Sequence, residues 1–272
     1  MEDSAKNDIV SSADLAATAE LAYLDHSGNP RVRSITPVVS DGAPAFTLTY
    51  AEAEAAREIN ASPEVCLVFS DSRLAYAGWK SLFVSARTRL AADPKGDDFL
   101  ERFLEQELRK HPPSRLYMDT LVLRRENWWY TPRLMLFLED FGEPRQIARR
   151  SVPKDTGVLA WNSEDGLRAE TVEVGDWEAE RMPLRHPDGE TAFAGADAPA
   201  ALLFHDFSVP DMEQETSLHI TGRLSGGRLS VENREGSREL PALPGLISRF
   251  KFQRSLKKRC AAGLEEHEAR RS

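Results

Sequence analysis

Three arginines in the leading part of the chain, Arg33, Arg57 and Arg87, accompany hydroxyl side chains at Ser34, Thr36, Thr47 and Thr49. Arginine presents a planar fork of donors suited to a phosphate, and hydroxyls add neutral donors beside it. Thr47 and Thr49 share a face if their segment is a strand, because side chains i and i+2 point together. The same residues have plainer uses. Arg57 follows Glu54 by three residues and precedes Glu58, so it can pair on a helix surface. Arg33 and Arg87 can be solvent-facing strand charges, and the threonines can reflect β-propensity alone. Tyr50, Trp79, Trp128 and Trp129 offer flat apolar surface, either to a planar ligand or to the core.

Other chemistry is poorly represented. The six histidines, at 26, 111, 186, 205, 219 and 267, form neither His-x-x-x-His nor His-Glu-x-x-His. No metal site is expected, because His205 and His219 lack neighbouring ligands at metal spacing. The chain contains no Gly-x-Ser-x-Gly, Walker loop or Gly-x-Gly-x-x-Gly, and no catalytic residue is assigned. Cys66 sits in an apolar run and reads as an inert core thiol. With only Cys66 and Cys260 there is no disulfide framework, so a reducing cytoplasm is the expected compartment.

The chain of 272 residues is 41% apolar and 29% charged, the composition of an ordinary globular protein with room for a substantial core. No segment approaches the ~18 apolar residues of a membrane span, and the acidic N-terminus lacks a secretory signature. No membrane partner is expected. Net charge is −9. Residues 1–150 carry 19 basic against 23 acidic side chains, so both halves are acidic, which disfavours nucleic acid. The exception is the basic run 249–259, which reads as the charged surface of a terminal helix, with a phosphate or acidic-partner contact as the alternative.

These residues would be positioned by short strands. Helical propensity marks 13–22. Residues 22–25 and 31–39 read as strands joined by the His26–Pro30 turn, where Gly28 supplies positive φ. Strands are predicted at 45–50, 64–69 and 81–90, and a short helix at 51–59 that carries Arg57. Residues 97–111 show one apolar stripe (Phe99, Leu100, Phe103, Leu104, Leu108) and predict a helix stopped by Pro112-Pro113. Residues 121–125 and 127–138 are strand-like.

The second half starts over. Gly166, Pro199 and Arg223 follow Gly28, Pro63 and Arg87 at nearly one separation, and the surrounding segments match in apolar pattern. This spacing suggests duplication of one unit, with chance similarity of β-rich stretches as the alternative. The boundary is placed near 150, giving units 1–150 and 151–272, the second ending in the basic helix.

The order of elements in residues 13–140 resembles the pyridoxamine 5′-phosphate oxidase-like family of FMN-binding split β-barrels. The resemblance rests on Tyr23–Arg33 as the opening hairpin, on Phe46–Tyr50, on the Arg57 helix followed by Asn60 and Pro63-Glu-Val65, and on Phe83–Leu90. It implies a mainly β fold with flanking helices (α+β), a split barrel that the repeat would make a tandem duplication in one chain. It implies an FMN-dependent oxidoreductase transferring hydride at a flavin, with a small-molecule substrate. Arg33, Thr36, Thr47, Thr49, Tyr50, Arg57 and Arg87 are the implied cofactor-binding residues. A deazaflavin-dependent reductase, and a non-catalytic haem- or protein-binding barrel that has lost flavin, are the alternatives. The chain departs from the family in having Arg57 for lysine, Ala86 for glycine, and the acidic turn Glu52/Glu54 near the implied phosphate. Residues 161–199 hold ten acidic side chains against Arg168, Arg181 and Arg185, so the second unit is read as degenerate and one flavin site at most is expected. Flavin sites of this family lie between two barrels, so a monomeric pseudo-dimer or a homodimer is implied.

Overall fold

The computed structural model describes residues 3–114, 128–150, 152–188, 196–243 and 245–271. The fold is mainly antiparallel β-sheet with flanking helices, a split-barrel α+β architecture. Helix α1 (Asp3–Leu15) is followed by β1 (Ala19–Leu24) and β2 (Pro30–Ile35). The helix expected over 13–22 is therefore corrected: Ala19–Leu24 pairs with β2 on one edge and with β5 (Val65–Phe69) on the other, and this pairing overrides alanine-rich helical propensity. Gly28 takes φ 77° in the connecting turn, where only glycine is unstrained.

Strands β3 (Val38–Ser40) and β4 (Ala43–Thr49) lead through a 3-10 turn, Tyr50–Glu52, into helix α2 (Ala53–Ala61). After β5 come β6 (Leu82–Asp93), a π turn over Phe99–Phe103 running into α3 (Leu104–Lys110), β7 (Arg133–Glu139) and β8 (Arg145–Gln146). The strand expected to begin at Asn127 begins at Arg133, because Trp128–Tyr130 forms a 3-10 turn. The strand expected at 121–125 lies outside the described residues. Twelve-residue β6 is long enough to pair with β5 at one end and β7 at the other, which splits the leading barrel into two leaves. Its strand order is β2-β1-β5-β6-β7-β4-β3.

The trailing strands are β9 (Thr156–Ser163), β10 (Gly166–Val174), β11 (Arg181–Arg185), β12 (Asp197–Phe207), β13 (Glu215–Ser225) and β14 (Arg228–Gly236), closed into a barrel of order β10-β11-β14-β13-β12-β9. Its pairings follow those of the leading unit. β9–β10 matches β1–β2, β9–β12 matches β1–β5, β12–β13 matches β5–β6, β13–β14 matches β6–β7, and β14–β11 matches β7–β4. The residues corresponding to 94–132 are missing from the trailing unit, where a Gly226-Gly227 hairpin joins β13 to β14. The counterpart expected for the Arg57 helix falls at 188–194, outside the described residues except for Asp188.

Each barrel has its own core, and a third apolar cluster joins them. Leu21 and Tyr23 of β1 face the leading core, while Ala22 between them faces the trailing unit. Leu159 and Trp161 of β9 face the trailing core, while Ala160 faces back. The shared cluster sets Ala22, Val32, Cys66 and Val68 against Ala160, Ala169, Ala201 and Leu203, positions that correspond pairwise in strand register. Small side chains here let the two sheets approach, and the contact has the self-complementary character of a two-fold interface.

Helix α4 (Leu246–Arg271) belongs by sequence to the trailing half, yet its C-terminal part packs on the leading unit. A Cβ on Gly263 would stand 2.0 Å from the Tyr50 carbonyl oxygen, so glycine is required for this approach. The His267 ring meets the Tyr50 ring edge-on at 5.5 Å, and Leu264 packs on the leading core. Among the described residues no helix is long and apolar enough to cross a membrane.

Candidate functional site

The site forms along β2, at the junction of the two barrels. Alternation turns Val32 into the joining cluster and leaves Arg33 and Ser34 half-buried. A cavity of about 390 Å³ lies between the units, lined by Tyr23, Arg31, Arg33 and Ser34 from the leading barrel and by Ser217, His219, Thr221 and Glu235 from the trailing one. A second cavity of about 180 Å³ shares Arg33 and Ser34 and continues toward Thr36, Thr47, Thr49 and Glu52. Its far wall is Glu107, His111, Ser114, Tyr130 and Arg133.

Arg33 donates from a terminal nitrogen to Glu52 Oε1 at 2.5 Å. Its Nε is buried and has no hydrogen-bond partner among the described residues. Thr49 Oγ1 lies 3.5 Å from Glu52 Oε2, at the limit of a hydrogen bond. The hydroxyls of Ser34, Thr36 and Thr47 hydrogen-bond to nothing among the described residues. The Ser34, Thr36 and Thr47 hydroxyls thus converge on one cleft, beside an arginine that one carboxylate already engages.

The far wall is pre-organised. Glu107 accepts from Tyr130 Oη at 2.9 Å and from Ser114 Oγ at 2.8 Å. The Arg133 guanidinium is held between Phe99 and Tyr130, 4.0 and 4.1 Å from their ring centroids. Burial holds the His111 imidazole below its usual pKa, against the pull of Glu107, so it is neutral at neutral pH. His219 is likewise lowered by burial.

The structure brings Arg33, Thr36, Thr47 and Thr49 together and leaves three expected binding residues apart. Arg57 stands on α2 and pairs with Glu266 of α4 at 3.3 Å, away from both cavities. Arg87 projects to solvent on β6, opposite Glu139 in register. Tyr50 is buried beneath α4 and does not line either cavity. Trp79 belongs to the leading core. Among the described residues no group of three or more metal-ligating side chains assembles.

A buried polar cluster, missed by motif reading, lies where the chain passes from one unit to the other. Glu20 of β1, Arg150 of the connection and His205 of β12 are each fully buried. Arg150 donates to Glu20 Oε1 at 3.3 Å and to the His205 carbonyl at 2.9 Å, and Ser70 Oγ donates to the same Glu20 oxygen at 2.6 Å. His205 Nε2 stands 2.6 Å from Glu20 Oε1. Burial works to raise the Glu20 carboxyl, but the His205 hydrogen bond and the Arg150 charge outweigh it and hold the pKa below the usual range. Burial and Arg150 hold His205 below its usual value. The sequence signal was a titratable side chain set into each of two apolar strands, Ala19-Glu20-Leu21 and Leu203-Phe204-His205.

No family model and no curated protein matches this chain. Solved structures do. An F420 reductase is 19% identical over 48% of this chain and 94% of its own, with a TM-score of 0.34. HutZ, the haem storage protein from Vibrio cholerae, is 14% identical over 52% of this chain and 93% of its own, with a TM-score of 0.30. A putative pyridoxamine 5′-phosphate oxidase from Lactobacillus delbrueckii is 16% identical over 53% and 93%, with a TM-score of 0.30. Each is similar to about half of this chain.

Proposed function

We propose that the chain is a tandem split barrel, with units 1–150 and 151–272, that holds a flavin-type cofactor in the cleft along β2 and acts as an oxidoreductase of the pyridoxamine 5′-phosphate oxidase-like class. The duplication is supported by the five matching strand pairings and by the pairwise correspondence of the residues that join the barrels. One chain then supplies both walls of a site that would otherwise need a dimer.

The observation that carries the cofactor reading is the convergence of the half-buried Arg33 side chain and the Ser34, Thr36 and Thr47 hydroxyls on two adjoining cavities, the larger of which lies between the two barrels. The larger cavity, about 390 Å³, falls within the ~300–1,000 Å³ of ordinary ligand sites. A planar ring fits its mix of apolar walls (Val32, Ala201, Leu202, Ile220) and polar edges. The phosphate end fits less well. Its anchor is reduced from three arginines to Arg33, which Glu52 already engages. The reading therefore favours retention of the ring over retention of the phosphate. A bound flavin supplies hydride transfer by its own ring chemistry. The chain's part is to orient and shield. Arg33 and the hydroxyls donate to ligand oxygens, the apolar walls exclude water, and His219 presents a neutral imidazole at the trailing side.

A non-catalytic binder of haem or of another protein is the second reading, favoured by the Arg33–Glu52 pair and by α4 lying over Tyr50. An absorbance spectrum of the native protein, with mass spectrometry of what it releases on denaturation, separates the two. A released flavin or deazaflavin supports the first. A Soret band, or a colourless protein whose melting is unshifted by FMN and riboflavin, selects the second.

A further inference from the structure

Five of the nine exposed large apolar side chains among the described residues fall within 240–252: Leu240, Leu243, Ile247, Phe250 and Phe252. Ile247, Phe250 and Phe252 are 74%, 66% and 56% exposed on the first two turns of α4. The same part of the helix carries six cations and no acid from Leu246 to Gly263, in a chain of net charge −9. Arg249 is tied to Glu213 at 3.3 Å. Lys251, Arg254, Lys257, Lys258 and Arg259 form no ion pair among the described residues.

The two parts of α4 differ in use. The C-terminal part is fixed on the leading unit by Gly263, Leu264, Glu266 and His267. The N-terminal part exposes Ile247 and Phe250 on one side and Phe252 on the other, beside five cations that form no ion pair among the described residues. Isolated exposed apolar residues are common, but such a concentration rimmed by charge marks an interaction surface. Its shape is a convex helix, suited to a deformable partner rather than to a projecting one. Anionic lipid headgroups take the cations, while the acyl boundary just beneath takes isoleucine and phenylalanine in the same plane. Single-stranded nucleic acid would use the cations and stack on the phenylalanines but would leave Ile247 and Leu243 without a role.

We propose that residues 243–259 are a peripheral docking element for an anionic phospholipid surface, anchored to the body of the protein by the C-terminal part of α4. The proposal runs against the expectation of no membrane partner, and it stands independently of the cofactor reading.

The test is co-sedimentation of the full chain with vesicles of phosphatidylcholine alone and of equimolar phosphatidylcholine and phosphatidylserine, with circular dichroism confirming that each variant is folded. Binding is expected only to the anionic vesicles, and it should weaken as salt is raised. The triple variant Lys251→Gln, Lys257→Gln, Lys258→Gln should partition roughly 100-fold less, about five-fold per cation. Ile247→Ser with Phe250→Ser should weaken binding by about ten-fold or more while keeping the preference for anionic lipid. Equal binding to both vesicles, or none to either, overturns the proposal. So does displacement from anionic vesicles by a single-stranded oligonucleotide that binds more tightly, which would assign the surface to nucleic acid. Self-association lost in the triple variant, without vesicle binding, would assign it to a second copy of this chain.

Discussion

Replacing Arg150 with methionine removes the cation that bridges the two barrels. The guanidinium and the Glu20 carboxylate are both fully buried, so the variant leaves an anion inside the protein with only Ser70 and His205 beside it. Removing one partner of a buried pair costs ~3–5 kcal/mol. The lost hydrogen bond to the His205 carbonyl, 2.9 Å in the native protein, adds about 1 kcal/mol, and the buried methionine side chain offsets part of this. The expected net loss at neutral pH is ~3–5 kcal/mol, read as a lower urea midpoint at unchanged m-value. Adding Glu20→Gln should recover at least ~1 kcal/mol, because the orphaned charge is then gone. The dependence on pH follows from the two titrating members. Glu20 has its folded pKa held below the ordinary 4.5, so its contribution is present above that value and is lost as pH falls through the folded pKa. His205 is held below the ordinary 6.5, so its contribution is likewise present above 6.5 and lost on acidification. Both act in the same direction, and the cost of Arg150→Met should shrink in acid as Glu20 takes up a proton. A loss under ~1 kcal/mol at neutral pH, or one that grows on acidification, would refute this account of the junction.

Other outcomes follow from single contacts. Glu52→Gln frees Arg33 and should tighten binding of FMN relative to riboflavin by about 1 kcal/mol, seen in parallel fluorescence titrations. Gly263→Ala, normally worth ~0.5–1 kcal/mol of added helix stability, should instead lower the melting temperature, because its Cβ meets the Tyr50 carbonyl at 2.0 Å. Lys110 is buried with its ammonium donating to the Ala13 and Pro37 carbonyls, and burial pushes its pKa down to about 7. The unfolded chain keeps that proton up to about 10.5, so this group destabilises the fold fully below pH 7 and progressively less toward 10.5. The wild-type stability should therefore rise with alkaline pH relative to Lys110→Met, as measured by urea denaturation across that window.

The sequence disclosed those parts of the fold that depend on local chemistry. The Gly28 turn, the apolar run of β5 and the helix after Asp97 all follow from residues close together in the chain. Residues 19–21 read as helix because alanines suit either state, and two flanking strands decide the matter, while the strand read from Ala22 stands. The site was only half legible. Thr47, Thr49 and Arg33 meet because β2 and β4 flank one cleft. Arg57 and Tyr50 do not reach it, since a helix more than 200 residues later pairs with the one and packs on the other. Glu52 stood out as an acidic intrusion, but that it would clasp Arg33 depends on a contact across the sheet. Glu20, Arg150 and His205 carry no motif, and only the packing of one barrel on the other brings them together.

The most direct test of the central claim is an equilibrium fluorescence titration of riboflavin and FMN against the wild-type chain and Arg33→Met. The account predicts saturable quenching by the wild type, with Arg33→Met weakening FMN binding by ~1.5–3 kcal/mol and Arg57→Ala leaving it unchanged. Quenching that is absent from the wild type, or that persists undiminished in Arg33→Met, would contradict it.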